Sequence, residues 1–351
     1  MSRSPATTPA PDYEPEQVWL PASEQLLQWQ GDFHDLMLGD ELRMTAYHAA
    51  ITETVRPGDT VLDLGTGTGI LARWALESGA ARVYGIDLNE TVLATATERL
   101  AAAGFADRFH PLLGLSFDLR LPERVDVIVS EILGNLADNE NAPVILDDAR
   151  RRFLRPGGTM LPQRVESYLV PVAAERAHAE ISRGEPQQGG GPEEFAELLR
   201  GRGARSAFDL YYDTIVPISG HLAAPRIVRS FDLEHDCASV GASYQVPLVF
   251  TAHRAGRLTG LKGYFVATLS KTVALDISGD RIAERTTSDS WKHCYLPIEH
   301  PIDVRQGDRI AVTFSRVAPD DANHTFRQGY RWEGQVISGN QTVARFAQRT
   351  A

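Results

Sequence analysis

The sequence predicts an α/β protein: a mostly parallel sheet with helices on both faces, followed by a β-rich half. Three observations predict it. Strand and helix signals alternate from Thr60 to Phe153, the pattern of consecutive βα units. A glycine-spaced run, Val61-Leu62-Asp63-Leu64-Gly65-Thr66-Gly67-Thr68-Gly69, joins the first strand of that series to its first helix. After Pro162 the text changes to short alternating segments with polar turns, which read as a β-sandwich or barrel.

The elements follow in order. Residues 1–17 are rich in Pro and Thr and are expected to be disordered. From about residue 24 to 52, Leu26, Leu27, Phe33, Leu36, Met37 and Leu42 recur at helical spacing. Strands are expected at Thr60–Leu64, Val83–Asp87 and Val125–Val129, and helices at Gly69–Ser78, Thr91–Ala103 and Pro143–Phe153. Arg155-Pro156-Gly157-Gly158 reads as a turn. In the second half, strands are expected at 166–172, 226–231, 245–250, 260–269, 308–314 and 330–336. The stretch 174–215 interrupts them with helical and loop-like text, including a short amphipathic helix from Pro192 to Arg200. The organisation expected is therefore 1–17, a first domain over 18–162, and a β domain over 163–351 with an insertion at 174–215.

Composition sets limits. The chain has 351 residues, 43% of them hydrophobic, enough to bury a sizeable core. Its formal net charge of -11 argues against a protein that tracks nucleic-acid phosphates and favours a basic or neutral partner, although solubility alone also explains it. The two cysteines, Cys237 and Cys294, form no CxxC and no metal spacing, so a reducing compartment is expected and a disulfide or metal site is not. The first residues lack the apolar core of a signal peptide, and no run of about 18 apolar residues suggests a span. A cytoplasmic protein that works off the membrane is expected.

The glycine loop points to a ligand. Glycines let the backbone turn tightly and approach a bound group, though a tight strand–helix turn alone also accounts for them. The spacing is GxGxG rather than the GxGxxG of pyrophosphate binders, and no Lys-Ser/Thr pair follows. Asp63 can attract an ammonium group directly or through water. Asp87 ends the next strand, about twenty residues on, where a ribose diol is usually held. A nucleoside cofactor without phosphate fits this set. On these residues the chain resembles the class I methyltransferases that use S-adenosyl-L-methionine (AdoMet).

A second motif follows the third strand. Glu131 and Glu140 lie nine positions apart in Ser130-Glu131-Ile132-Leu133-Gly134-Asn135-Leu136-Ala137-Asp138-Asn139-Glu140. Two acids on a solvated loop are commonplace; two acids at a strand end beside a cofactor make a dianionic clamp, suited to a planar guanidinium. The segment resembles the double-glutamate loop of the protein arginine methyltransferases, and its inner wording resembles the symmetric-dimethylating branch. The resemblance implies that Glu131 and Glu140 bind the substrate.

Other segments carry the same resemblance, over roughly residues 33 to 345. Phe33 to Arg43, with Ala46-Tyr47, is similar to the family's N-terminal helix. It implies cofactor contacts for His34 and Arg43, with Arg43 on the cofactor carboxylate, and a place near the target guanidinium for Met37. Ser288 to Lys292 is similar to the family's Thr-His-Trp loop, which implies that Ser290 and Trp291 contact the acceptor, with Trp291 as a flat wall. Ser116 replaces the usual acid beside adenine and is expected to serve through its backbone. Met37 and Ser290 point to different product types, and monomethylarginine is the expectation. The family fold adds a β-barrel with an inserted helical dimerisation arm, for which 174–215 is the candidate, so a homodimer is expected.

Two departures stand out. The family's aromatic lid motif falls near Glu24 to Gln28, where none is present, and the adenine acid is missing. The activity expected is arginine N-methylation, on free L-arginine or a small guanidine in preference to peptidyl arginine. A non-catalytic binding protein of this family would show a lost glutamate or a broken glycine loop; both are intact here.

Overall fold

The protein is described here from a computed structural model, over residues 14–21, 37–187, 191–235, 241–281, 284, 286–288, 290–318 and 328–350. A first sheet holds β1 (Thr60–Leu64), β2 (Arg82–Asp87), β3 (Phe109–Leu113), β4 (Val125–Ser130) and β5 (Leu154–Leu161) in the order β3-β2-β1-β4-β5. All neighbouring pairs are parallel. The order reverses between β1 and β4, which opens a crevice at their carboxyl ends, the usual ligand site of such sheets.

Helices α1 (Glu41–Thr54), α2 (Ile70–Glu77), α3 (Glu90–Ala102) and α4 (Ala142–Phe153) accompany the strands. Asp40 caps α1 through the Arg43 N–H, and Asn89 caps α3 through the N–H groups of Thr91 and Val92. In α1 the buried residues Ala46, Tyr47, Ala50 and Ile51 fall on one face, as helical spacing requires.

The segment 155–158, expected to be a turn, is part of β5. β5 is the outer strand of its sheet, where a proline lacking its N–H is tolerated, and the ladder to β4 is irregular there.

The second half forms two antiparallel sheets. One contains β6 (Arg164–Val172), β7 (Tyr212–Thr214), β8 (Arg226–Asp232), β10 (Gly256–Thr268), β11 (Ala274–Asp276) and β12 (His293–Val304). The other contains β9 (Tyr244–Thr251), β13 (Arg309–Val317), β14 (Gly329–Ser338) and β15 (Gln341–Arg349). Leu169, Leu261, Leu296, Phe250, Phe314 and Trp332 pack in the core of this half. Strands β7, β11, β12 and β15 were not expected from the sequence.

The insertion contributes α5 (Glu175–Arg183) and α6 (Pro192–Arg202). Its expected end at 215 runs too far, because Tyr212–Thr214 pairs with β12 and belongs to the sheet. The N-terminal boundary also moves. The Glu16 N–H bonds the Ile215 carbonyl at 3.0 Å, and the Val18 N–H bonds Glu180 Oε2 at 3.0 Å. Trp19 and Asp213 exchange backbone bonds of 2.8 and 3.0 Å. Residues 14–17 are therefore ordered, and 18–20 join β7 and α5 rather than the parallel sheet. Cys294 is buried as a free thiol; Cys237 lies outside the described residues.

Candidate active site

A cleft of about 540 Å³ opens at the carboxyl ends of β1, β2 and β4. One end is made by the glycine loop. Gly65 and Gly67 line it with left-handed backbones, φ 75° and 52°. A side chain on Gly65 would meet Ile132 Cγ2 at 2.6 Å, so the loop needs glycine there. Asp87 lines the same end; its Oδ2 accepts the Gly67 N–H at 2.8 Å and its Oδ1 the Asn89 N–H at 2.9 Å. Ser116 also lines the cleft, its carbonyl held by Arg152 at 2.9 Å.

Two expected cofactor contacts differ. Asp63 is fully buried and is not among the cleft's lining residues. Its Oδ2 accepts the Thr66 hydroxyl at 2.6 Å and the Ala72 N–H at 2.9 Å, fastening the loop to α2, while its Oδ1 has no hydrogen-bond partner among the described residues. Burial pushes its carboxyl up to about 7. Gly69 also lies off the wall: it precedes α2 at φ 83°, where a side chain would press on Ala96 at 3.0 Å. Both residues shape the loop from behind. His34 and the segment Glu24 to Gln28 lie outside the described residues.

The other end of the cleft is acidic and aromatic. Glu131 follows β4 directly and forms an ion pair with Arg43. The Arg43 guanidinium also lies 5.2 Å from the centre of the Trp291 ring. Burial draws Arg43 down to about 10, so it remains a cation at neutral pH. Glu140, Met37, Ser290 and Trp291 line the same end. Trp291 is fixed by its Nε1–H on the Leu133 carbonyl at 2.6 Å and by the edge of Phe265 at 5.1 Å. Burial, and next the charge of Asp213, push the Glu140 carboxyl up to about 8; Arg43 opposes them.

The loop that carries both glutamates is braced from the β domain. Leu136 is buried in that domain's core. Asp138 accepts the Tyr330 and Tyr244 hydroxyls at 2.7 and 2.8 Å and lies 3.6 Å from Arg316. Asn135 donates to Asp213 Oδ1 at 2.8 Å and to the Lys292 carbonyl at 2.9 Å, and Asn139 donates to Asn135 Oδ1 at 3.1 Å.

Sequence reasoning missed Asp40 and Asp213. Asp40 Oδ2 accepts the hydroxyls of Ser288 and Ser290, the latter at 2.5 Å, and so ties α1 to the Trp291 loop. Its place just before a helix, with Glu41 after it, is a capping signal that marks it as fixed in position. Asp213 lines the cleft from β7; its strand is too short to be read from periodicity.

A parallel sheet with this strand order, a glycine loop and an acid at the end of β2 define a class I AdoMet-dependent methyltransferase. Residues 61–158 match a family described as "Methyltransferase domain", and residues 164–333 match the "PRMT5 oligomerisation domain". Protein arginine N-methyltransferase PRMT10 of Oryza sativa subsp. japonica is 27% identical over 331 residues, covering 88% of this chain and 86% of that one. The Arginine N(omega)-methyltransferase of Streptomyces achromogenes subsp. streptozoticus is 27% identical over 284 residues, covering 80% and 74%. In fold, the chain is similar to the Trypanosoma brucei PRMT1 enzyme-prozyme heterotetrameric complex with AdoHcy, with a TM-score of 0.74 at 23% identity, covering 92% of this chain and 99% of that one. Through the two matched segments and these relatives, the chain is similar to the protein arginine methyltransferases along most of its length. It is an arginine N-methyltransferase with AdoMet as its cofactor. Among the described residues no helix is long and apolar enough to cross a membrane.

Proposed function

We propose that the acceptor is free L-arginine or a comparably small guanidine, and that the product is N-omega-monomethylarginine. The observation that carries the acceptor chemistry is Arg43 itself. A guanidinium of the chain is paired with Glu131 beside the Trp291 ring, so this end of the cleft accommodates the group to be methylated.

In this reading Glu131 and Glu140 bind the acceptor, Trp291 supplies a flat wall, and Met37 and Ser290 border it. Gly65, Gly67, Asp87 and Ser116 hold AdoMet, and Arg43 serves its carboxylate. AdoMet supplies an electrophilic methyl group on a sulfonium. The two glutamates accept N–H bonds and draw positive charge toward the nitrogens they hold. The remaining terminal nitrogen regains lone-pair character. Methylation replaces an N–H by an N–CH₃, so one proton must leave. Glu140, whose carboxyl stands at about 8, is suited to take it.

Two observations favour a small acceptor over a peptide. Asp213 adds a further acid near Glu140, which suits an acceptor with a second cationic centre such as an α-ammonium. The similarity to the Streptomyces Arginine N(omega)-methyltransferase points the same way; the similarity to PRMT10 supports peptidyl arginine as the alternative. Incubation with methyl-labelled AdoMet and either free arginine or an RG-rich peptide separates them. Transfer to the peptide alone overturns the acceptor reading, and a dimethylated product in the mass spectrum overturns the product reading. We also read α5 and α6 as the dimerisation arm of a cytoplasmic homodimer, which sedimentation velocity checks for the oligomer.

A further inference from the structure

Behind the wall that carries Trp291 lies a buried pair of basic residues with no part in the chemistry above. Lys262, on β10, and His293, the first residue of β12, are both fully buried. The Lys262 ammonium donates to the Val216 carbonyl at 3.1 Å and to the Ser278 carbonyl at 3.0 Å. His293 Nδ1 accepts the Val216 N–H at 3.1 Å, and its Nε2 lies 3.0 Å from the Ile277 carbonyl. A backbone N–H on one ring nitrogen and a carbonyl on the other fix the imidazole as the neutral Nε2–H form. The four bonds close a circuit: Val216 to His293, His293 to Ile277, Ser278 to Lys262, and Lys262 back to Val216.

The circuit lies at both ends of one chain segment. Ile277 and Ser278 precede Ser288, Ser290 and Trp291, and His293 follows them two residues after Trp291. Four ordinary strand contacts would stabilise the sheet equally well without burying an ammonium. Burying Lys262 pulls its amine down to about 7 and is costly. The groups that act on it are Asp280 and Asp276, which favour its charge; His221, beside it, has a buried Nε2 with no hydrogen-bond partner among the described residues. Such a costly group at both roots of a pocket wall fits a role in holding that wall.

We propose that Lys262 and His293 are positioning residues for the acceptor pocket, clamping the two roots of the Ile277–Lys292 segment onto Val216 so that Trp291 is held at the cleft. The inference rests on the reading of Trp291 as the acceptor wall. It makes no claim on AdoMet, whose end of the cleft is built from the other domain.

The test compares His293→Leu, which loses both bonds, with His293→Gln, whose amide keeps one acceptor and one donor. Arginine KM, kcat and the AdoMet Kd are measured for each, beside Trp291→Ala. His293→Leu is expected to raise the arginine KM about tenfold with AdoMet Kd within about twofold, and His293→Gln to restore KM to within about threefold of the wild type. Lys262→Met is expected to behave like His293→Leu. If the leucine variant does not fold, His293→Asn, whose amide is too short to reach both partners, carries the same expectation. Unchanged KM in His293→Leu and Lys262→Met alongside a raised KM in Trp291→Ala overturns the positioning role alone. So does equal loss in the Gln and Leu variants. Unchanged KM in Trp291→Ala removes the acceptor reading and this inference with it.

Discussion

The Arg43 guanidinium is paired with Glu131 and lies 5.2 Å from the centre of the Trp291 ring. An acceptor guanidinium must therefore take Glu131 from a cation of the chain itself. In the proposed reading Arg43 has a second partner in the AdoMet carboxylate, so cofactor and acceptor binding are coupled. Arg43→Ala is expected to weaken AdoMet binding about tenfold or more, because a charged hydrogen bond is lost. Calorimetric titration with AdoMet checks this, and unchanged affinity counts against the contact.

Glu131 and Glu140 enclose the acceptor end from opposite ends of one loop. Glu131→Gln and Glu140→Gln each keep the shape but lose the charge that, in the proposed reading, polarises the acceptor. Each is expected to lower kcat by about two to four orders of magnitude, with AdoMet Kd changed by less than about threefold. Turnover and equilibrium binding on the same preparations decide it. Loss of AdoMet binding ahead of turnover would show that the role is misassigned.

The pH dependence follows from Glu140. Burial and Asp213 raise its carboxyl from 4.5 to about 8, so in the folded protein it binds a proton that an unfolded chain releases. Between those values the group disfavours folding more as pH rises. Binding a cation needs the ionised form, so the arginine KM is expected to fall as pH rises through about 8. Asp213→Asn removes a repelling charge and should move that limb to lower pH. Glu140→Gln should abolish it. KM measured from pH 6.5 to 9.5 tests both shifts.

The fold was legible where periodicity and chemistry agree. The strands at Thr60–Leu64 and Val125–Ser130 are short apolar runs that end in a functional motif, and both were read from the sequence. β12 was not, because Pro297 and Pro301 interrupt its pattern, and β7 has only three residues. At the site, Gly65, Gly67, Asp87, Ser116, Glu131, Glu140, Met37, Ser290 and Trp291 all line one cleft, and so does Arg43. Asp63 and Gly69 do not, because a motif gives residue types and spacing but not which side of a loop a carboxylate faces. Asp40 and Asp213 reach the site through contacts between distant elements, which no local pattern encodes.

The bracing of the glutamate loop gives the last prediction. Leu136 projects from that loop into the β-domain core, so close to Gly263 that a side chain there would meet its Cδ1 at 2.6 Å. Two positions on, Asp138 takes two tyrosine hydroxyls and offsets the buried Arg316. These anchors, on the stretch between Glu131 and Glu140, fix the separation of the two acids. Leu136→Ala is expected to cost about 2–5 kcal/mol of stability by leaving a cavity, and also to lower kcat by loosening that separation. Asp138→Asn keeps the volume but weakens the acceptor of two buried tyrosine hydroxyls, while Arg316 keeps its bonds to Gln328 and Asn141, a loss of about 1–3 kcal/mol. Denaturant unfolding gives the stability change, and turnover well below the transition gives the catalytic one. A variant that is destabilised yet turns over at the wild-type rate would mean that the acids are held by Asn135 and Asn139 instead, and the Asn135→Ala and Asn139→Ala variants would then carry the catalytic loss.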